Sequence, residues 1–239
     1  MSLRIGLPLA ATAIALFAGS AQAVFVLGNG DHRALTDILN SNDRKFQVGD
    51  KIFTVLTYTS AAIPASMVDV TGFIAQNPLS GIGFDLTGGF GDVPGNATFS
   101  DINFRYTVEI AEAAFNNGFR IVDTGLTFNG SSSGAGSFAR VDESVLDFFG
   151  QPGQNLLGTR QVFAIAGPPP SSQLQDFQLL PGTAGYRKLE VNKDIQFFAA
   201  GPNGTAAASF VRQSFSQIPT PGGSALCAVA GALLLRRRR

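Results

Sequence analysis

The stretch Ile102–Ile110 alternates strictly between apolar and polar side chains. The apolar positions are Ile102, Phe104, Tyr106, Val108 and Ile110, and the polar ones are Asn103, Arg105, Thr107 and Glu109. Because successive side chains of a β-strand point to opposite faces, this pattern predicts a strand with one buried and one solvated face. Antiparallel sheets contain strands of this kind.

Further segments rich in β-branched and aromatic residues predict more strands. These segments are 51–59, 67–75, 81–86, 119–128, 136–141, 160–166, 188–198 and 206–215. In the segment 188–198, Lys193 interrupts an otherwise apolar face. A Gly-rich turn region is predicted over 87–95, and a hairpin turn at Asn129-Gly130. The expected fold is mainly β, a single antiparallel β-sandwich of jelly-roll type.

Helical signals are few. The segment Asp31–Asn40 predicts one short N-terminal helix, with Asn29 or Asp31 as its cap and its apolar residues on one face. The segment Glu143–Phe149 predicts one or two helical turns. Prolines 168–170 predict a stiff, extended loop within the same domain.

Both ends of the chain resemble targeting segments. Met1–Ala23 has a basic start, an apolar run and the triplet Ala21-Gln22-Ala23, which predicts a secretory signal cut by signal peptidase after Ala23. The expected organisation is a signal peptide over 1–23, a β-sandwich domain over 24–216, and a linker with a sorting tail over 217–239. The protein is therefore expected outside the cytoplasm.

The tail consists of a proline- and glycine-containing segment that interrupts helix and strand, an apolar run and a basic end. Pro219, Thr220 and Pro221 precede two glycines, and the apolar residues 224–235 are followed by Arg236, Arg237, Arg238 and Arg239. Such a run rises only ~18 Å as a helix, against a hydrocarbon layer of ~30 Å. We expect transient membrane insertion, with the arginines on the cytoplasmic side.

These tail residues resemble the PEP-CTERM sorting signal of Gram-negative bacteria, which an exosortase recognises and cleaves. The family has Glu where Thr220 stands here, which leaves open the processing enzyme that accepts this tail. Residues 222–224 (Gly-Gly-Ser) are also similar to the GlyGly-CTERM signal of rhomboid-like proteases. The resemblance implies an exosortase-like partner, passage through the inner membrane to the cell surface or beyond, and association with exopolysaccharide.

Composition restricts the chemistry of the body. Five of the 17 basic residues lie in the terminal segments, which leaves 12 against 17 acidic ones, a net charge of −5. A body of this charge excludes nucleic acid as the expected partner. The one cysteine, Cys227, lies in the tail, so the body has neither a disulfide nor thiol chemistry. With 21 Phe and no Trp, the aromatic residues are expected to build a core.

No residue pattern indicates a catalytic centre, so no catalytic residue and no cofactor are predicted. The one histidine, His32, is expected on a helix surface, and zinc would need more His or Cys ligands. Calcium is the open alternative, because carboxylates suffice for it. Its candidate ligands are Asp92 with Asp101, and Asp142 with Glu143 and Asp147.

We expect an exported surface or extracellular-matrix protein with a structural or adhesive use. One alternative is a glycan-binding module, which a concave patch containing Tyr58, Tyr106 or Tyr186 would favour. The third hypothesis is a hydrolase, with Glu109 and Glu112 as its carboxylate pair. A polar surface with every phenylalanine turned inward would favour the structural use.

Overall fold

The computed structural model describes residues 24–76, 81–92, 94, 99–147 and 155–219. The strands within them are β1 (Phe25–Leu27), β2 (His32–Ala34), β3 (Lys45–Val48), β4 (Lys51–Ser60), β5 (Val68–Ile74), β6 (Ile82–Asp92), β7 (Ser100–Ile110), β8 (Phe119–Ile121), β9 (Asp123–Phe128), β10 (Ser131–Ser133), β11 (Phe138–Asp147), β12 (Leu156–Ile165), β13 (Ser171–Gln173), β14 (Gln175–Leu179), β15 (Lys188–Phe198), β16 (Thr205–Phe215) and β17 (Gln217–Pro219). The helices are α1 (Leu35–Asn40), α2 (Glu112–Asn116) and a 3-10 turn, Ala65–Met67.

Two large sheets contain most of these strands, which confirms the prediction of a mainly β, largely antiparallel protein. Sheet A has the order β1-β3-β4-β7-β15-β11-β12-β13, and sheet B has the order β14-β9-β16-β6-β5-β2 with β10 added beside β16. The small pair β8–β17 lies apart from both. One pairing, β1 with β3, is parallel, which the sequence did not predict.

The alternating stretch forms most of β7, at the centre of sheet A. Its five apolar side chains are all buried, as predicted. Thr107 differs from the prediction, because it is 2% exposed although it belongs to the polar face. It lies between its cross-strand neighbours Thr54 and Glu190, which cover it from both sides.

Aromatic side chains join the inner faces of the two sheets. The Phe84 ring, on sheet B, meets the rings of four sheet A residues nearly edge-on. Those residues are Phe46, Phe53, Phe104 and Tyr106, with ring centroids at 5.2, 5.0, 6.2 and 5.2 Å. Such edge-to-face pairs stabilise beyond the area they bury. The buried apolar residues of both sheets form one core cluster.

The N-terminal helix is shorter than predicted. Its first part is strand β2, which pairs with β5, so His32 lies exposed in a strand and not on a helix. The predicted caps serve other partners: Asn29 Oδ1 accepts the Ile74 N–H at 2.9 Å, and Asp31 Oδ2 accepts the Gly28 N–H at 2.8 Å. Ala34 caps α1 without a side-chain hydrogen bond. Helix α2 is an additional helix that the sequence did not predict.

Two other local predictions are wrong because strand pairing decides the local structure. The start of the predicted turns Glu143–Phe149 belongs to β11, which is paired on both sides, by β12 and β15. Much of the predicted turn region 87–95 belongs to β6, which continues to Asp92 along β16. The prolines 168–170 do lie in a loop, as predicted, but this loop is short and connects the paired strands β12 and β13.

Asn129-Gly130 is not a hairpin turn. Strands β9 and β10, on either side of it, both pair with the same neighbour, β16. The Asn129 Oδ1 atom accepts the backbone N–H groups of Ser209 and Phe210 at 2.9 and 3.1 Å. The register of β16 against β6 shifts between Ala208 and Phe210, and the Asn129 side chain accepts hydrogen bonds from the backbone at this shift.

The fold extends slightly into the segment expected to be a linker. Strand β17 pairs with β8, and Gln217 is buried, with its side-chain oxygen accepting a hydrogen bond from Lys51 Nζ. The residues from Thr220 to Arg239, and those from Met1 to Ala23, lie outside the described part of the chain. In the part that is described, no helix has the length and apolarity needed to cross a membrane.

Candidate functional site

The outer face of sheet A carries polar side chains in rows that cross the strands. One row consists of the cross-strand neighbours Thr59, Asn103, Asp194, Asp142 and Gln161. The adjacent row consists of Thr57, Arg105, Asn192, Ser144 and Thr159. These two rows are called the polar groove below. Since the groove spans five strands, its length is ~19 Å at the usual strand spacing.

The groove contains two open depressions of about 520 and 540 Å³. One is centred on Asp142 and Asp194, and the other on Asn103 and Arg105. Because Ser144 and Asn192 line both, the depressions form one continuous surface. Asp176 of β14 stands at one end and lines the first depression.

Hydrogen bonds hold the groove side chains in fixed orientations. Gln161 Nε2 donates to Asp142 Oδ1 at 2.6 Å, and the Gln161 backbone N–H donates to Asp176 Oδ2 at 3.1 Å. Asn103 Nδ2 donates to Asn192 Oδ1 at 3.3 Å. These contacts join β12 to β11 and β14, and β7 to β15. They leave hydroxyl, amide and carboxylate groups pointing to the same side of the sheet.

Three carboxylates meet at one side of the groove. Asp194 lies beside Asp142 in the neighbouring strand and is close to Asp101. Partial burial raises the pKa of Asp194 to about 6, and the hydrogen bond and negative charge of Asp101 and the charge of Asp142 act in the same direction. The positive charge of Arg140 opposes the shift, and Arg140 Nε lies 2.7 Å from Asp142 Oδ2.

We expect Asp194 to make stability depend on pH. In the folded protein it binds a proton near pH 6, whereas in the unfolded chain it does so near its ordinary value of 3.8. The folded state therefore takes up the proton first, and the unfolding free energy rises as the pH falls from about 7 to about 4. Solvent screening at this half-buried position limits the gain to about 1 kcal/mol.

Urea unfolding of the wild type and of Asp194→Asn at pH 7 and pH 4.5 measures this effect. The variant should be the more stable protein at pH 7, and the difference should shrink at pH 4.5. An Asn side chain retains an oxygen that can accept the 2.9 Å hydrogen bond from Gln196 Nε2. If the two proteins differed in unfolding free energy by the same amount at both pH values, the raised pKa of Asp194 would be contradicted.

Three phenylalanine rings lie beyond one edge of the groove. Phe138 and Phe198 are cross-strand neighbours with ring centroids 5.8 Å apart, and Phe99 lies 5.7 and 4.9 Å from them. Phe99 is 55% exposed. Phe198 follows Asp194 by four residues in β15, so the rings are ~13 Å from this carboxylate along the strand. This group shows that the phenylalanines do not all point inward.

A separate charged cluster lies on the inner faces of the sheets. Lys193 Nζ donates to Glu143 Oε2, and Arg160 Nη1 donates to Glu143 Oε1 at 2.9 Å. The three charged side chains are at most 1% exposed. Desolvation lowers the pKa of Lys193, Glu143 opposes this shift, and Arg160 adds to it. Burial, followed by the charge of Glu143, raises the pKa of Tyr106 well above its usual range.

The structure does not bring the calcium candidates together. Asp142 points outward and Glu143 inward, because they are successive residues of a strand. Asp92 accepts hydrogen bonds from Ser100 Oγ at 3.2 Å and from the Ala199 N–H at 2.9 Å, while Asp101 lies on the outer face of sheet A. In the described ranges of the chain, no group of three His, Cys, Asp or Glu side chains has the arrangement of a metal site.

The other sequence-based candidates have ordinary partners. Arg187 bridges Glu109 and Glu112 at 3.1 and 2.5 Å, so these two carboxylates form ion pairs with one arginine. The Tyr58 and Tyr186 hydroxyls donate to the carbonyls of Ile63 and Pro181. Tyr106 is fully buried. No tyrosine therefore forms part of the groove.

No protein-family model matches the chain, and comparison with curated proteins gives no match. Among solved structures, the chain is similar to the enzymatically active domain of tailspike protein 4 from bacteriophage CBA120. Identity is 14% and the TM-score 0.28, with 72% of this chain and 20% of that chain covered. It is also similar to TmCBM27, a carbohydrate-binding module described for specific mannan recognition.

For TmCBM27 the identity is 10% and the TM-score 0.30, with 77% of this chain and 95% of that chain covered. The chain spans about a fifth of the length of the tailspike domain. Likenesses with TM-scores this low have no bearing on what this chain binds. The residues of the polar groove therefore decide the functional assignment.

Proposed function

We propose that this protein is an exported carbohydrate-binding domain with a jelly-roll-like β-sandwich fold, and that it binds a glycan chain in the polar groove. The observation that carries the proposal is the pair of polar rows on one sheet face, held in place by hydrogen bonds between strands. The groove is long and open at its surface, which suits an extended oligosaccharide better than a small enclosed ligand.

The groove chemistry matches the chemistry of sugars. Sugar hydroxyls both donate and accept hydrogen bonds, and Asn103, Asn192 and Ser144 can meet them in both directions. The carboxylates Asp142 and Asp194 add charge-assisted acceptors, which make stronger hydrogen bonds than neutral ones. Ring faces of sugars pack on aromatic side chains, and the Phe99 ring offers such a surface beyond the groove edge.

Charge selects among glycans. The charged lining residues that reach the surface are Asp142, Asp176 and Asp194, against one guanidinium, that of Arg105. Arg105 is itself paired with Glu190. Such a surface repels uronic acids and other anionic sugars, so we expect the ligand to be neutral or to carry amino groups.

The geometry favours binding over hydrolysis. In glycosidases, two carboxyl groups flank the bond to be cleaved. Asp142 and Asp194 instead rise side by side from neighbouring strands of one sheet face. The structural or adhesive use expected from the sequence is compatible with the proposal, because adhesion to exopolysaccharide requires a glycan-binding surface.

We expect Asn192→Ala to weaken glycan binding by about tenfold, since it removes one or two hydrogen bonds at the centre of the groove. Isothermal titration against soluble neutral, amine-bearing and uronate-containing oligosaccharides gives the affinities. Asn42→Ala is the matched control, because Asn42 is exposed between α1 and β3. Equal affinities for both variants and the wild type would argue against the groove, and release of shorter sugars would indicate an enzyme.

Export and tail processing are part of the same proposal, supported by the terminal sequences. We expect secreted material to begin near Val24 and to lack Arg236, Arg237, Arg238 and Arg239. N- and C-terminal peptide mapping of protein purified from the culture medium tests this. Recovery of a peptide ending at Arg239 from secreted protein would exclude removal of the tail.

A further inference from the structure

The inner charged cluster brings together the three groups required for amide exchange. Lys193 Nζ, on β15, donates hydrogen bonds to Gln213 Oε1 on β16 and to Glu143 Oε2 on β11. Each of the three residues is at most 3% exposed. An amine, a carboxamide and a carboxylate are thus held in contact where water is excluded.

The charge balance of the cluster favours a neutral Lys193. Arg160 keeps its positive charge in proteins and already pairs with Glu143. A second buried cation would have no carboxylate of its own, which is costly at a dry site. As a neutral amine, Lys193 has two N–H groups for its two acceptors and a free lone pair. Burial also lowers the pKa of Lys193.

We propose that Lys193 and Gln213 become joined by an intramolecular isopeptide bond, with Glu143 as the proton carrier. The Nζ lone pair forms a bond to Gln213 Cδ, and the C=O electron pair moves to Oε1. Glu143 takes a proton from Nζ, and the Thr124 hydroxyl, which contacts both Glu143 Oε1 and Gln213 Nε2, relays a proton from Glu143 to Nε2. The Cδ–Nε2 bond then breaks, the carbonyl re-forms and ammonia leaves, so that Glu143 ends as it began and no oxidant or co-reactant is required.

Other contacts fix the reacting carboxamide. Gln213 Nε2 donates to Thr124 Oγ1 at 2.7 Å, and the same oxygen accepts Arg160 Nη1 at 3.0 Å. The leaving nitrogen is therefore held on the side away from Lys193. The resulting bond would connect sheet A to sheet B through the middle of the core.

Lys51 offers an internal comparison. Its Nζ contacts Gln217 Oε1 and lies 2.6 Å from Asp50 Oδ1, so it has the same three kinds of group. Here one cation faces one carboxylate, and the Asp50 side chain is 22% exposed. Burial lowers the pKa of Lys51 as well, but Asp50 opposes the shift and, among the described residues, is paired with no second cation as Glu143 is with Arg160. Lys51 can therefore keep its proton, and a protonated amine has no lone pair for attack. We therefore expect no bond between Lys51 and Gln217.

Intact-mass spectrometry of the folded full chain tests the proposal, with the termini established by peptide mapping. The mass should be lower than that of the sequence by one ammonia. Proteolysis should yield a branched peptide joining Lys193 to Gln213. Glu143→Gln and Lys193→Arg should each restore the full mass, while Lys51→Arg should retain the loss.

Three results would overturn the proposal. The first is a full, unmodified mass in wild-type protein whose circular dichroism shows the β fold, a result that does not depend on any variant folding. The second is an ammonia loss that persists in Lys193→Arg, which would point to another reaction such as cyclisation at Asn129-Gly130. The third is a branched peptide through Lys51 instead of Lys193.

Discussion

Glu143→Ala is expected to destabilise the protein by about 3–5 kcal/mol, the usual cost of removing one partner from a buried ion pair. The change leaves Arg160 without a counter-ion between the two sheets, whether Lys193 is a free amine or part of an amide. It also leaves the Arg160 donors short of acceptors, since Nε and Nη2 already lack hydrogen-bond partners among the described residues. Urea unfolding followed by circular dichroism measures the loss.

Glu112→Ala is the matched control. Glu112 also pairs with an arginine, Arg187, but its side chain is 65% exposed. Exposed ion pairs contribute little, so this variant should lose less than about 1 kcal/mol. Similar losses for the two variants would show that the Glu143 cluster is hydrated in solution.

Phe84→Ala is expected to cost about 3–5 kcal/mol, because it removes a fully buried ring and leaves a cavity that the core cannot fill. Phe84 is the sheet B ring that meets four aromatic rings of sheet A. Its loss therefore weakens the contact between the sheets and not merely one strand. We expect a lower urea midpoint, while the dependence of the unfolding free energy on urea concentration stays unchanged.

Phe177→Ala provides the comparison for the same chemical change at the surface. Phe177 is 65% exposed on β14, where its ring lies over Gly125. Little apolar area is uncovered by its removal, so the midpoint should change only slightly. If Phe84→Ala were as mild as Phe177→Ala, the two sheets would not share the core described here.

The sequence predicts strands well where the alternation is strong. The segment 188–198 coincides with β15, and the alternating stretch 102–110 lies within β7. Prediction from the sequence fails where pairing between distant segments overrides the local preference for a secondary structure. Glu143 is followed by residues that suggest a helix start, yet pairing with β12 and β15 keeps β11 extended.

The groove could not be predicted for the same reason. The polar face of β7 identifies Asn103 and Arg105 as solvent-facing, but their partners in β15, Asp194 and Asn192, are 91 and 87 residues away in sequence. Only the strand order places Asn192 and Ser144 beside them. Lys193 carries a usable signal, since a lysine on an apolar face predicts a buried partner, but nothing nearby in sequence identifies Glu143 or Gln213.

We propose that the outer face of sheet A binds a glycan. An NMR titration of the folded domain with the oligosaccharide of highest affinity tests this proposal. We predict chemical-shift changes at the backbone amides of Asn103, Ser144, Asn192 and Asp194. Changes confined to the outer face of sheet B, around Phe73 and Arg212, or no saturable changes with any neutral or amine-bearing glycan, would contradict the claim.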